Sequence, residues 1–166
     1  MNLFIGSSII ERWNPLPFMN SINLGISGLT SNKLQNKYDN ILSMYPTTRN
    51  IYLYIGSNDI VYNNDIHSTL KNITEFMESI INKPKHKIKI IFIAILKSPN
   101  KTKTQNIQID YLNRKMREFI SSPKNDNYNF CNCNRQLKSS ENYLHNDQTH
   151  LSPIGYNRLN KCIQKI

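Results

Sequence analysis

Residues 88–96 read Ile-Lys-Ile-Ile-Phe-Ile-Ala-Ile-Leu, the longest apolar run in the sequence. Only Lys89 interrupts a series of apolar side chains that is rich in β-branched isoleucine. A short, uniformly apolar run of this kind predicts a strand that is buried on both faces. Strands buried on both faces belong to parallel sheets with helices packed above and below. The run therefore predicts an α/β architecture.

Shorter apolar runs predict the rest of the sheet, and helical periodicity lies between them. The further strand candidates are residues 3–5, 21–24, 51–55 and 128–131, and the helical patterns cover residues 34–45, 66–80, 111–120 and 153–166. The last helix begins clearly, because Ser152 can cap it and Pro153 suits its first turn. Polar loops are predicted at residues 97–104 and 121–126. Alternating strands and helices predict a parallel sheet with helices on both faces, within a single domain that spans residues 1–166.

Small and polar residues follow three of the predicted strands. Ser8 comes after the first strand, Gly28 lies in the glycine-containing loop after the second, and Asn58 follows the third. Because ligands of open α/β sheets bind beyond the carboxyl ends of the strands, we expect these residues to meet at one edge. Asp59 is expected to serve its loop rather than a reaction.

The chain carries the side chains that hydrolysis of an ester by a serine requires. A serine hydroxyl needs a histidine to take its proton, and that histidine needs an acceptor on its other ring nitrogen. Asp147 and His150 are three residues apart, a spacing that lets one tight turn bring the carboxylate back to the imidazole. Ser8 can then meet the other nitrogen. Gly28 and Asn58 can supply N–H donors to a developing oxyanion.

Four short blocks in the chain together resemble the SGNH hydrolases, also called the GDSL esterase/lipase family. That family's blocks read Gly-Asp-Ser, Asn-x-Gly-x-x-Gly, Gly-x-Asn-Asp and Asp-x-x-His. Here they read Gly6-Ser7-Ser8, Asn23-Leu24-Gly25-Ile26-Ser27-Gly28, Gly56-Ser57-Asn58-Asp59 and Asp147-Gln148-Thr149-His150. One departure is Ser7 in place of the family's aspartate. It leaves the choice of nucleophile open between Ser7 and Ser8, and alignment with the family block favours Ser8.

The resemblance implies a fold and a set of roles. The implied fold is a three-layer α/β/α sandwich, flavodoxin-like, with a five-stranded parallel sheet. Ser8 would be the nucleophile, His150 the general base and Asp147 its orienting partner. The N–H groups of Ser8 and Gly28 and the side chain of Asn58 would form an oxyanion hole. The implied activity is hydrolysis of carboxylic esters through an acyl-serine intermediate, with no cofactor or metal, on a small-molecule, glycan or lipid ester.

Composition bears on the compartment and on partners. The formal net charge of +10 would favour an anionic substrate. The composition is also rich in lysine and poor in alanine, which is typical of an AT-rich coding genome. Because this bias can explain the positive charge, nucleic acid is not the expected partner. The apolar segment that precedes Gly6 is too short for a signal peptide, and residues 88–96 are too few for a membrane span. The odd number of cysteines indicates reduced thiols. A cytoplasmic protein is therefore predicted.

Two other classes of function are open at this point. Cys131, Cys133, His145 and His150 could form a zinc site in a basic nucleic-acid-binding module, although the one-residue gap between the cysteines is narrower than in known sites. A catalytically inactive SGNH-like binding protein is the other alternative. His67, His86 and His145 are otherwise expected to be surface residues.

Overall fold

The computed structural model describes residues 1–83, 87–123, 125–138 and 142–166, and its centre is a five-stranded parallel sheet. The strands are β1 (Asn2–Gly6), β2 (Ser21–Gly25), β3 (Asn50–Tyr54), β4 (Lys89–Ile93) and β5 (Tyr128–Cys131). Their order across the sheet is β2-β1-β3-β4-β5, and every neighbouring pair is parallel. The predicted α/β fold with a five-stranded parallel sheet is confirmed.

Helices connect the strands and cover both faces of the sheet. They are α1 (Ser8–Glu11), α2 (Leu34–Tyr38), α3 (Ile41–Met44), α4 (Ser57–Val61), α5 (Ile66–Asn82), α6 (Lys103–Ile120), α7 (Asn134–Lys138) and α8 (Pro153–Ile163), with a 3₁₀ turn at Ser31–Lys33. The connection from β1 to β2 leads towards one edge of the sheet, whereas the connections from β3 to β4 and from β4 to β5 lead towards the other edge. Right-handed crossovers therefore place their connecting segments on opposite faces.

The boundaries of several elements differ from prediction. The pattern at residues 34–45 forms two short helices with a break at Asn40 instead of one helix. The loop predicted to end at residue 104 ends at Thr102, because Thr102 and Gln105 bond each other's backbone N–H groups in a capping box. The strand predicted over residues 88–96 pairs only as far as Ile93.

Aromatic packing fixes α8 against one face of the sheet. Phe4 stacks on Tyr52 with 4.5 Å between ring centroids, and the edge of Trp13 meets Phe4 at 5.2 Å. Trp13 Nε1 donates to Asn160 Oδ1 at 2.6 Å, and the hydroxyl of Tyr156 donates to the carbonyl of Ile9 at 2.8 Å. These two bonds tie the last helix to the segment that follows β1, although they are far apart in the sequence.

The cysteine prediction is wrong. Cys133 and Cys162 form a disulfide that joins the segment after β5 to α8, and Cys131 remains a buried free thiol. Pairing between residues 29 apart depends on the tertiary fold, which spacing alone does not reveal. Structural disulfides are typical of oxidising compartments, so cysteine usage no longer supports a cytoplasmic location.

The zinc site proposed from the sequence is not formed. Cys133 is occupied by the disulfide, and the rings of His145 and His150 do not join the sulfur atoms: in the described part of the chain, the group of potential metal ligands is Cys131, Cys133 and Cys162. His67 and His145 are exposed as predicted, and His86 lies outside the described residues. No helix within the described ranges is both long enough and apolar enough to cross a bilayer.

Candidate active site

A sharp turn at the end of β1 presents Ser8. Gly6 has φ +155°, and a Cβ there would lie 2.1 Å from the carbonyl oxygen of Tyr54, so only glycine fits between the strands. Ser7 is 1% exposed, its N–H donates to Tyr54 and its carbonyl accepts from α1, so the backbone around it is held inside the fold. Ser8 starts α1, where the amide has no acceptor within the helix, and its hydroxyl faces a cleft.

The segment before α8 forms a tight turn around the carboxylate of Asp147. One oxygen, Oδ1, accepts the backbone N–H groups of Thr149 and His150, each at 2.9 Å. The other, Oδ2, lies 2.6 Å from His150 Nδ1. Gln148 takes the left-handed conformation, φ +53°, that closes the turn. The spacing of three residues therefore brings carboxylate and imidazole together as predicted.

The imidazole joins this turn to the opposite end of the chain. His150 Nε2 lies 3.0 Å from Ser8 Oγ, a contact between residues 142 apart. Ser8, His150 and Asp147 thus form one continuous hydrogen-bonded series. Which nitrogen carries the proton follows from the carboxylate, because an ionised carboxylate only accepts and so fixes the proton on Nδ1. Nε2 is then the acceptor that faces the serine hydroxyl.

The electrostatics of the turn keep Asp147 ionised. The backbone N–H of His150, its side chain and the N–H of Thr149 all donate to the carboxylate and hold the pKa of Asp147 well below its usual value. The guanidinium of Arg12 lies 3.9 Å from Oδ2, at the exposed outer side of the turn. The imidazole therefore has a charged acceptor behind it throughout the neutral pH range.

Gly28 and Asn58 lie in the same cleft. Gly28 follows β2 and Asn58 follows β3, the two strands on either side of β1. Gly28 has φ +74°, in the left-handed region that favours glycine. Asn58 Nδ2 donates to the carbonyl of Leu29 at 2.9 Å, which fixes the amide and leaves its second N–H to point elsewhere. Both residues line the cleft together with Ser8 and His150. All five predicted site residues are therefore in or directly behind one cleft.

Asp59 serves its loop, as predicted from the sequence. Its side chain is 1% exposed and accepts hydrogen bonds from the N–H and the hydroxyl of Ser31. Asn64 Nδ2 donates to the same carboxylate at 3.3 Å. These bonds join the segment after β2 to the one after β3. They hold Gly28 and Asn58 in a fixed relation to each other.

The cleft has a volume of about 470 Å³ and includes residues that sequence analysis did not single out. Val61 of α4 and Tyr62, which follows that helix, line the cleft, as does Thr149, the residue before His150. The loop after β4 contributes a further side, including Asn100 and Lys101. The signal that would have found this loop is its place after a strand's carboxyl end, the same rule that pointed to Ser8.

Comparison with known proteins agrees with this architecture. Residues 6–163 match the family model of the GDSL-like lipases and acylhydrolases. No curated protein sequence matches the chain significantly. Among solved structures, a candidate platelet activating factor from Streptococcus pneumonia is 25% identical with a TM-score of 0.85, and the match covers 99% of this chain and 82% of that one.

Two further structures share the fold at lower identity. A GDSL-like lipase from Bacteroides thetaiotaomicron is 22% identical with a TM-score of 0.77, and the match covers 99% of this chain and 85% of that one. An acetylxylan esterase from Geobacillus stearothermophilus is 19% identical with a TM-score of 0.75, over 99% and 92% of the two chains. With the family model matching nearly the whole chain, the protein belongs to the GDSL-like lipase/acylhydrolase family, the SGNH hydrolases.

Proposed function

We propose that this protein is a serine esterase in which Ser8 attacks the carbonyl carbon of a carboxylic ester. The observation that carries the proposal is the unbroken series of hydrogen bonds from Ser8 Oγ through His150 to Asp147. His150 Nε2 takes the hydroxyl proton as the new C–O bond forms, and Asp147 stabilises the resulting imidazolium. The tetrahedral intermediate then collapses. The alcohol leaves with the proton from His150, and an acyl-Ser8 remains.

Water completes the cycle by the same route. His150 removes a proton from water, the hydroxide adds to the acyl carbonyl, and the carboxylic acid leaves as Ser8 regains its proton. In both steps the negative oxygen needs donors. The N–H groups of Ser8 and Gly28 and the remaining N–H of Asn58 are the donors proposed for it, because all three residues line the cleft at adjacent strand ends.

The size of the cleft favours a substrate with a short acyl group. The cleft's volume of about 470 Å³ would be shared between the acyl group and the alcohol, and Val61 and Tyr62 are among the residues that line it. The acetylxylan esterase that shares this fold removes a short acyl group from a glycan. We therefore propose acetyl and similarly short esters of small molecules or glycans as substrates.

Hydrolysis of 4-nitrophenyl acetate and labelling by a fluorophosphonate test the proposal. Wild type should hydrolyse the ester and be labelled on one residue, and Ser8→Ala should lose both signals. Ser43→Ala is the matched control, because Ser43 is an exposed serine on α3 outside the cleft. If Ser8→Ala retained both signals and Ser7→Ala lost them, the nucleophile assignment would be wrong. A wild type that is neither active nor labelled would instead favour the inactive binding protein.

A further inference from the structure

Among the residues that the structure describes, Lys101 is a cation in the wall of the cleft that has no counter-charge. Lys101 lies in the loop after β4 and lines the cleft together with Ser8 and His150. It is partly buried and forms no ion pair with any residue that the structure describes, in contrast to Lys97 in the same loop, whose Nζ lies 2.6 Å from Asp110. The described residues that line the cleft include no aspartate or glutamate.

The backbone that carries Lys101 is held in place. Its N–H donates to the carbonyl of Ser98 at 3.1 Å, and its own carbonyl accepts from Asn106 Nδ2 at 3.1 Å. The next residue, Thr102, is the capped start of α6. The backbone of Lys101 therefore lies in a turn that is fixed at both ends, which limits the region that its side chain can reach.

The same loop is tied to the turn that carries the imidazole. Asn100 Nδ2 donates to Thr149 Oγ1 at 2.8 Å, one residue before His150. In the proposed reaction His150 returns its proton to the departing alcohol, so the alcohol lies on the imidazole side of the cleft. The proposed oxyanion donors Gly28 and Asn58 come from other strands, β2 and β3. The loop that carries Lys101 is therefore tied to the imidazole side of the cleft, from which the alcohol departs.

An anion at this place would relieve an unfavourable state. Burial lowers the pKa of the Lys101 ammonium, because the charged form has lost part of its hydration. A carboxylate or phosphate on the substrate would restore a charge-assisted hydrogen bond. A neutral substrate would leave the ammonium unpaired.

We propose that Lys101 is a specificity-determining residue that binds an anionic group on the alcohol part of the ester. The substrates would then be short acyl esters of hydroxy acids or other anionic alcohols. This inference rests on the esterase activity proposed above and adds the class of alcohol to it.

The test compares 3-acetoxybenzoate with its methyl ester, in which the negative charge is removed, and follows the release of acetate from both. For wild type, we expect the ratio of kcat/KM between the anionic and the neutral ester to exceed that of Lys101→Met by roughly tenfold, mainly through KM. Comparing this ratio between variants cancels the difference in chemical reactivity of the two esters. Lys101→Arg should keep most of the preference. Lys103→Met is the matched control, since it removes the same charge from an exposed site outside the cleft and should leave the ratio unchanged.

Failure of this inference is distinguishable from failure of the esterase proposal. If wild type cleaves both esters and Lys101→Met leaves the ratio as it was, Lys101 does not select the alcohol. If wild type cleaves neither these two esters nor 4-nitrophenyl acetate, the esterase proposal fails. Calorimetric titration of the product 3-hydroxybenzoate then decides on Lys101 without turnover: roughly tenfold weaker binding to Lys101→Met supports the anion site, and equal binding overturns it. Thermal unfolding of each variant checks that it is folded.

Discussion

Replacing Asp147 with asparagine separates the two tasks that the structure gives to this side chain. The carboxylate holds the turn by accepting two backbone N–H groups on Oδ1, and it orients the imidazole through Oδ2. The amide oxygen of Asp147→Asn can still accept the two N–H groups. Its NH₂ group, however, would face His150 Nδ1 and favour the tautomer that carries the proton on Nε2. In that tautomer Nε2 cannot accept the proton of Ser8.

The size of the effect follows from how completely the tautomer is controlled. A fully enclosed triad loses about 10⁴-fold in kcat on the equivalent change. Here the side chain of Asp147 is 46% exposed and that of His150 is 17% exposed, so water competes with the amide for Nδ1. We therefore expect a loss of about 10³-fold in kcat/KM with little change in thermal stability.

Asp147→Ala is the informative comparison. It removes the acceptor of both backbone N–H groups as well as the partner of the imidazole, so it should also lower the free energy of unfolding by about 2 kcal/mol, at roughly 1 kcal/mol for each bond. The assays are 4-nitrophenyl acetate hydrolysis at neutral pH and urea unfolding of both variants. If Asp147→Asn retained activity within threefold of wild type, orientation of His150 by this carboxylate would not matter for catalysis.

Three further predictions concern pH, the disulfide and a strand end. Because hydrogen bonds lower the pKa of Asp147, its carboxylate stays ionised well into the acid range, so log kcat/KM should fall towards acid pH with a slope no steeper than one. A slope of two would mean that Asp147 loses its charge in the same pH range. Reduction of the Cys133–Cys162 disulfide, which spans 29 residues, should lower the free energy of unfolding by about 3.5 kcal/mol in urea. Cys162→Ser should show no response to reductant, and a response there would place the effect elsewhere. Gly56→Ala should lower the free energy of unfolding by about 2 kcal/mol, because Gly56 has φ +112° and a Cβ would lie 2.7 Å from Leu112 Cδ2. Unchanged urea unfolding would show that the backbone after β3 adjusts to the added Cβ.

Much of the fold could be predicted from the sequence because the strands are buried on both faces. Burial on both faces demands unbroken apolar runs, and such runs are visible without any knowledge of their partners. One example is the run at residues 51–55, which is followed by a glycine. Helix caps are also visible locally: Ser152 was predicted to cap α8, and its side chain accepts a hydrogen bond from the N–H of Gly155. Local chemistry also predicted the Asp147–His150 contact, since three residues of spacing suffice to close that turn.

Other features arise from contacts between distant segments. The chain after Ile93 is as apolar as the strand, yet Ile95 N–H bonds Asn113 Oδ1 and Leu96 N–H bonds the hydroxyl of Tyr54, so side chains replace the strand ladder there. No pattern within residues 88–96 contains that information. The disulfide is of the same kind, because it depends on α8 returning to the end of β5.

The order of the elements and the short blocks of the candidate site can be predicted from local patterns along the chain. Three features depend on how distant segments pack: the hydroxyl of Ser8 lies 3.0 Å from the imidazole of His150, Cys133 pairs with Cys162, and Lys101 lines the cleft. The difference lies in the range of the interactions. Burial and turn chemistry act within a few residues, whereas the meeting of side chains up to 142 residues apart depends on how the crossovers stack around one sheet.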